Sequence, residues 1–297
     1  MPHENAHDSM PVDVPLVRRL ISDQFPDWAH LPINPVESQG HDNRTFRLGE
    51  TMSVRLPSAD RYAASLETER LWLPRLGPHL PLPIPTPLAM GAPAHGYPWQ
   101  WSINTWVIGE NAALGHIDDP NQFAEDLAHF LNALQRIDAH GGPTPGRDNF
   151  FRGGDPAVYD AQTRACIDAL CDVVDPRAAG EVWASALDAH RSGPDVWVHG
   201  DMAAGNLLVK GGRLSAVIDF GQLAVGDPAC DVTIAWTFFS GAGRRTFRAK
   251  LSVDESTWLR GRGWGLWKAL LELQRHRHAN AAEAAKVMRV IDDILAD

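Results

Sequence analysis

The chain is poor in cysteine and has no long uninterrupted apolar run. Its three cysteines, Cys166, Cys171 and Cys230, give neither a disulfide framework nor the paired Cys and His spacings of a zinc site, so they are read as reduced packing residues. No apolar run approaches the length of a membrane helix, and the opening ten residues lack the apolar segment of a signal peptide. A cytoplasmic location is therefore expected. Positive charge is also short: 27 Lys and Arg stand against 37 Asp and Glu, a formal net charge of −10, which disfavours a nucleic-acid role because the phosphate backbone would want a basic face. No internal repeat or low-complexity tail is visible.

At 297 residues and 44% hydrophobic content, the chain is long enough for two lobes with ordinary cores. Its most informative segment is residues 199–221. It reads His199-Gly200-Asp201, then Asn206, then a hairpin, then Asp219-Phe220-Gly221. The runs Leu207–Lys210 and Arg213–Ile218 are strand-like, and Gly211-Gly212 between them is a two-residue hairpin signal. If Lys210 faces Arg213, the returning strand brings Asp219 back toward the end where Asn206 sits. Neighbouring strands lie about 4.8 Å apart, a separation across which an amide oxygen and a carboxylate can share a hard cation. Phosphoryl transfer from ATP needs such a set: a carboxylate for the acceptor hydroxyl and oxygen ligands for magnesium.

His199-Gly200-Asp201, Asn206, Asp219-Phe220-Gly221 and Gly226-Asp227-Pro228-Ala229-Cys230-Asp231 together resemble the aminoglycoside phosphotransferase family, which has the protein-kinase-like fold. The resemblance implies a two-lobed α/β (α+β) fold. A small sheet-rich nucleotide lobe would cover residues 1–107, ending at a hinge, and a mainly helical catalytic and acceptor-binding lobe residues 108–297. It implies Asp201 as catalytic base or hydroxyl-orienting group, His199 as support for its loop, Asn206 and Asp219 as magnesium ligands, and Asp231 as a brace. Asp227, before Pro228, also reads as a helix N-cap.

Upstream, Arg44–Leu48 and Met52–Leu56 read as a hairpin, with Met52, Val54 and Leu56 on one face and Ser53 and Arg55 on the other, so that Arg55 is free to point into a cleft. A helix from about Arg61 toward Leu73 carries Glu69 before Pro74 interrupts it. In kinases a strand lysine grips the nucleotide phosphates and a helix glutamate holds it; Arg55 and Glu69 match those places, with Arg substituting a planar fork for a point charge. The phosphate-covering loop falls on Ser38–Asn43, which has one glycine and no G-x-G-x-x-G; it reads equally as a hairpin turn. The proline-dense stretch 78–98 is expected to be extended, and the strand-like segment 97–109 to include the hinge. By the resemblance, backbone groups of Thr105 and Val107 would hydrogen-bond adenine. Trp99, Trp101 and Trp106 are read as core.

Asp119 and Pro120 are the N-cap and first residue of a long helix whose stripe Phe123, Leu127, Phe130, Leu131, Leu134 and Ile137 faces the core. Two helices and the strand Val196–Val198 lead to His199, and Gly241–Gly243 is read as a helix break. The reading as a whole is an ATP- and Mg2+-dependent kinase for a small-molecule acceptor hydroxyl. The acceptor would be an aminoglycoside-type antibiotic or a related cationic or sugar-like metabolite, in keeping with the acidic net charge. The alternatives are a metabolic kinase of choline, homoserine or sugar type, and a nucleotide-binding regulatory protein without turnover.

Overall fold

The computed structural model describes residues 12–36 and 42–297. Most of the loop proposed to cover phosphate, residues 38–41, lies outside them, as does the N-terminal segment tested for a signal peptide. Two compact units divide the chain: Met1–Gly109 with Ala216–Gly221, and Glu110–Ser215 with Gln222–Asp297. The segment that ends in Asp219-Phe220-Gly221 thus groups with the N-terminal unit, a return that a single cut in the sequence does not capture.

The first unit holds a five-stranded antiparallel sheet. Its strands are β1 (Ile33–Pro35), β2 (Asn43–Leu48), β3 (Met52–Pro57), β4 (Pro87–Gly91) and β5 (Trp101–Thr105), in the order β1-β2-β3-β5-β4. Helix α1 (Val14–Gln24) starts where Asp13 Oδ1 accepts from the Leu16 amide at 2.9 Å. It buries Leu16, Val17, Leu20 and Ile21 against Phe46, Leu48, Val54, Leu56, Trp101 and Ile103. Alternation along β3 thus sends Val54 and Leu56 into this core. Of the three tryptophans, Trp101 is fully buried, Trp99 packs partly buried on the same cluster, and Trp106 is half-buried beneath the Arg47 guanidinium.

Helix α2 (Asp60–Leu76) corrects one expectation, since it runs through Pro74 rather than stopping before it. Pro74 forfeits one hydrogen bond near the C-terminal end, and buried Leu66, Leu73 and Leu76 keep the helix seated to its last turn. The stretch 78–98 also contains more than extended connection. It opens in a 3-10 turn, Gly77–His79, and contributes β4 to the sheet edge.

In the second unit, in chain order, come β6 (Glu110–Asn111), α3 (Pro120–Arg136), α4 (Asp160–Ala169), α5 (Pro176–Asp188) and β7 (Val196–Val198). They are followed by β8 (Leu207–Lys210), β9 (Arg213–Val217, whose last two residues group with the first unit) and β10 (Ala224–Gly226). The helices α6 (Ala229–Val232), α7 (Ile234–Thr237), α8 (Gly241–Lys250), α9 (Glu255–His276) and α10 (Ala281–Ala296) close the chain. Asp119 Oδ1 accepts from the Asn121 and Gln122 amides, capping α3. Gly241–Gly243 begins α8 after the Ser240 N-cap instead of interrupting a helix. Helix α9 is the centre of this unit, with α4, α5, α6 and α10 packed on it. Its glycines allow close approach: a Cβ on Gly263 would lie 2.3 Å from the Ala186 Cβ of α5.

The β8–β9 hairpin turns on Gly211 and Gly212, with φ of 57° and 72°. Two successive positive φ values are what a type I′ turn requires. Ser215 Oγ donates to the Leu208 carbonyl at 3.0 Å, a pair that fits Lys210 facing Arg213.

Candidate active site

In the second unit the site is built on a short antiparallel pair. Val198 at the end of β7 faces Ala224 of β10, and the chain then turns sharply through fully buried His199. Gly200 makes that turn at φ +86°, and a Cβ there would sit 2.2 Å from the Gln222 carbonyl oxygen. No other residue fits without moving backbone. Gly200→Ala is expected to lose about 1–3 kcal/mol from backbone conformation alone, whereas Gly211→Asn, with open space and a turn Asn tolerates, stays within about 1 kcal/mol. Equilibrium denaturation of the two variants checks the contrast.

The turn is clamped from behind by Asp231 on α6. Its Oδ2 accepts from the His199 amide at 2.8 Å and its Oδ1 from the Gly200 amide at 2.9 Å. Burial pushes the Asp231 carboxyl up, and the His199 ring and the two amides only partly oppose this. His199 Nδ1 accepts from the Asp201 amide at 3.2 Å. His199 therefore shapes the loop from inside the protein.

Asp201 emerges from this clamp partly exposed. Its Oδ1 takes a hydrogen bond from Lys268 Nζ of α9 at 2.9 Å, and Asn206 Nδ2 donates to its carbonyl at 2.8 Å with a longer contact of 3.4 Å to Oδ2. Burial works to raise the Asp201 carboxyl, but Lys268, Arg152 and His199 outweigh it and hold it below the usual carboxylate range. It is an anion throughout the neutral range, ready to accept a hydrogen bond or a proton from an alcohol. Because Asn206 spends its amide nitrogen on Asp201, its Oδ1 is the atom left for another ligand.

Asp227, read as a possible N-cap, does more. It accepts from the Ala229 amide at 3.2 Å and also forms a fork-to-fork pair with Arg260 of α9, at 2.6 Å to Nε and 3.1 Å to Nη2. The pair ties the segment before α6 to the central helix.

In the first unit, Arg55, Glu69 and Asp219 come together. Arg55 Nη1 donates to Glu69 Oε1 and Oε2 at 2.9 and 2.7 Å, and Nη2 donates to Asp219 Oδ1 at 2.8 Å. Arg55 is buried instead of pointing freely into a cleft, because α2 covers the second face of the sheet and sets Glu69 beside it. Burial lowers its proton affinity, yet Glu69 and Asp219 more than reverse that, so it stays charged. Asp219 has φ +64°, a left-handed conformation that Asp tolerates better than most residues. Arg55 holds the carboxylate in that pose by one oxygen.

At the hinge, the Thr105 amide already donates to the Thr86 carbonyl at 2.9 Å, and the Trp106 amide to Thr51 at 2.7 Å. Thr105 thus has no free N–H to offer adenine, since the β4–β5 edge consumes it. Val107, just past β5, has no hydrogen bond from its amide among the described residues.

Among the described residues no cluster of three or more His, Cys, Asp or Glu side chains could itself hold a metal. Amide and carboxylate oxygens are each the donor type that a hard cation takes. Asn206 Oδ1 and the second oxygen of Asp219 are oxygens without a protein partner among the described residues. Lys268 and Arg152, which set the charge around Asp201, were not legible in the sequence. They come from α9 and from the loop before α4, with no spacing that relates them to the catalytic loop.

The phosphotransferase enzyme family model matches residues 34–270, and the chain belongs to this family. A search of curated proteins finds no match. Solved structures share the fold at low identity. The GDP and kanamycin complex of APH(2″)-IIIa is 18% identical, covers 94% of this chain and 98% of its own, and superposes with a TM-score of 0.69. ADP-bound aminoglycoside phosphotransferase APH(2″)-Ib is 17% identical over 95% of this chain and 99% of its own, TM-score 0.59. The macrolide 2′-phosphotransferase of Brachybacterium faecium is 18% identical over 95% and 98%, TM-score 0.60. The kinase-like α+β fold, a sheet-rich N-terminal unit and a mainly helical C-terminal one, is thereby shown, and the protein is a phosphotransferase. No helix among the described residues is long and apolar enough to cross a membrane.

Proposed function

We propose that this phosphotransferase moves the γ-phosphate of ATP to a hydroxyl of a small-molecule acceptor, with Asp201 receiving the acceptor proton. The observation that carries the proposal is the state of Asp201: an ionised carboxylate, partly open to solvent, on a turn clamped by Asp231 and His199 and oriented by Asn206 and Lys268. A carboxylate so placed aligns an alcohol for in-line attack, and in a loose transition state positioning and charge supply most of the rate.

Asn206 and Asp219 are the residues that would hold magnesium, which when bound neutralises charge on the transferring phosphates. Arg55 serves this arrangement by fixing Asp219, with Glu69 fixing Arg55 in turn. Val107 is the hinge residue whose amide remains available to adenine. Complexes with GDP, ADP and ATP all occur among the similar structures; ATP is the donor proposed here. Those structures include enzymes named for aminoglycosides and for macrolides, so one fold serves unlike acceptors and the acceptor must be read from this chain's own residues.

The test is ADP formation from ATP with magnesium across hydroxylated acceptors. Acceptor-stimulated turnover that vanishes on chelation of magnesium supports the proposal; nucleotide binding without turnover against every class would favour a regulatory protein on the same scaffold. Glu69→Ala is expected to strip Arg55 of one of its two carboxylates, cost about 3 kcal/mol of stability and weaken the magnesium dependence of nucleotide binding. Denaturation and a magnesium titration measure the two effects.

A further inference from the structure

The charge beside Asp201 has the opposite sign to the charge of the whole chain. Lys268 bonds one oxygen of Asp201 directly, and Arg152 lies over Trp267, the residue before Lys268, with its Nε bonded to Gln222, whose carbonyl abuts Gly200. Arg152 is 9% exposed, yet it forms no ion pair among the described residues. Its Nε donates to Gln222 Oε1 at 2.9 Å, and its two Nη atoms make no hydrogen bond to protein among the described residues. The guanidinium lies over the indoles of Trp264 and Trp267, at 5.1 and 5.0 Å from their ring centres.

The backbone that presents Arg152 is strained and tied down. Phe150 and Phe151 both have φ of 54°, a conformation bulky residues adopt only where the surroundings impose it. Here Tyr159 Oη donates to the Phe150 carbonyl, the Phe151 amide to Gly146, the Arg152 amide to Asn149, and Asn149 Nδ2 to the Arg152 carbonyl. So much fixation is not needed to bury an arginine, which usually lies at the surface.

The nearby acids do not answer this charge. Asp231 is committed to the His199 and Gly200 amides, Asp227 to Arg260, and Glu272 to Arg275 and His276. Lys268 is the cation that bonds Asp201, and Arg152 forms an ion pair with no acid among the described residues.

We propose that Arg152 and Lys268 form an anion-recognition pair beside Asp201, so that the acceptor is a hydroxylated small molecule bearing a carboxylate or phosphate group, not a polycation. The guanidinium fork fits either anion with two parallel hydrogen bonds, and the indoles beneath it hold its plane and exclude water, which strengthens the attraction. Lys268 supplies the second charge while holding one oxygen of Asp201. A polycationic amino sugar would meet both cations. The proposal rests on the reading of Asp201 as the group that faces the acceptor hydroxyl.

Its test is calorimetric titration of the full chain, in the presence of magnesium and ADP, with gluconate, glycerol phosphate, glucose and kanamycin. Gluconate or glycerol phosphate is expected to bind, glucose and kanamycin at least tenfold more weakly. In Arg152→Gln the anion affinity should fall about tenfold or more, with partial recovery in Arg152→Lys. Circular dichroism and ADP affinity report whether the variants remain folded. Tighter binding of kanamycin or glucose, no binding of either anion, or anion binding indifferent to Arg152 would overturn the proposal. So would a fall in ADP affinity in Arg152→Gln with anion binding unchanged, because the pair would then serve the donor. Failure of the phosphotransfer reading looks different: Arg152-dependent anion binding with no ADP formed from ATP leaves the anion site standing and removes only that reading.

Discussion

Asp201→Ala is expected to lower kcat by about 10²–10⁴, the range that a positioned general base contributes, with little change in nucleotide affinity. The substitution removes the one ionised carboxylate that the turn after β7 presents partly open to solvent. It leaves the clamp intact, because Asp231 bonds the His199 and Gly200 amides and not the Asp201 side chain. Lys268 loses its partner but is itself about a third exposed, so water replaces the carboxylate and the fold is spared. Steady-state kinetics beside a nucleotide titration separates loss of chemistry from loss of binding. A variant that retains most of its kcat would place the acceptor proton elsewhere.

The second large effect concerns stability. Asp227→Ala is expected to cost about 3–5 kcal/mol, because it leaves Arg260 charged and unpaired in the interior. Both side chains of this pair are almost fully buried, 6% and 4% exposed, and Arg260 also donates to the Ala189 carbonyl and Thr257 Oγ1. Replacing both, as in Asp227→Leu with Arg260→Met, should lose much less, since an apolar pair of similar volume carries no desolvation penalty. Urea denaturation of Asp227→Leu, Arg260→Met and the double variant closes the cycle. Near-additive losses would mean that the pair is not coupled as its geometry implies.

The local parts of this molecule were legible in its sequence. Gly211-Gly212 announces its turn because few residues accept two positive φ values in succession, and Asp119-Pro120 announces α3 because a side-chain cap followed by a fixed φ suits the first helical turn. Arg55 and Glu69 were paired by their places in a strand and the helix after it, and the structure brings them together.

What depends on tertiary contact was not legible. Pro74 breaks an isolated helix, but three buried leucines keep α2 going past it. The bond from the Thr105 amide to the Thr86 carbonyl depends on how the chain before β4 returns beside β5. Lys268 and Arg152 belong to segments whose local pattern speaks only of a helix and a loop, and their effect on Asp201 arises from packing around α9. Net charge is silent on such placement: a sum over the chain is acidic, whereas the side chain bonded to Asp201 is a lysine.

The most direct measurement is the mass of the acceptor after incubation with magnesium and ATP labelled in the γ-phosphate, for the native chain and for Asp201→Ala. The account predicts one labelled phosphate on an acceptor oxygen with the native chain and none above background with the variant. Label found only in inorganic phosphate, or an equal yield of phosphorylated acceptor from the variant, would contradict it.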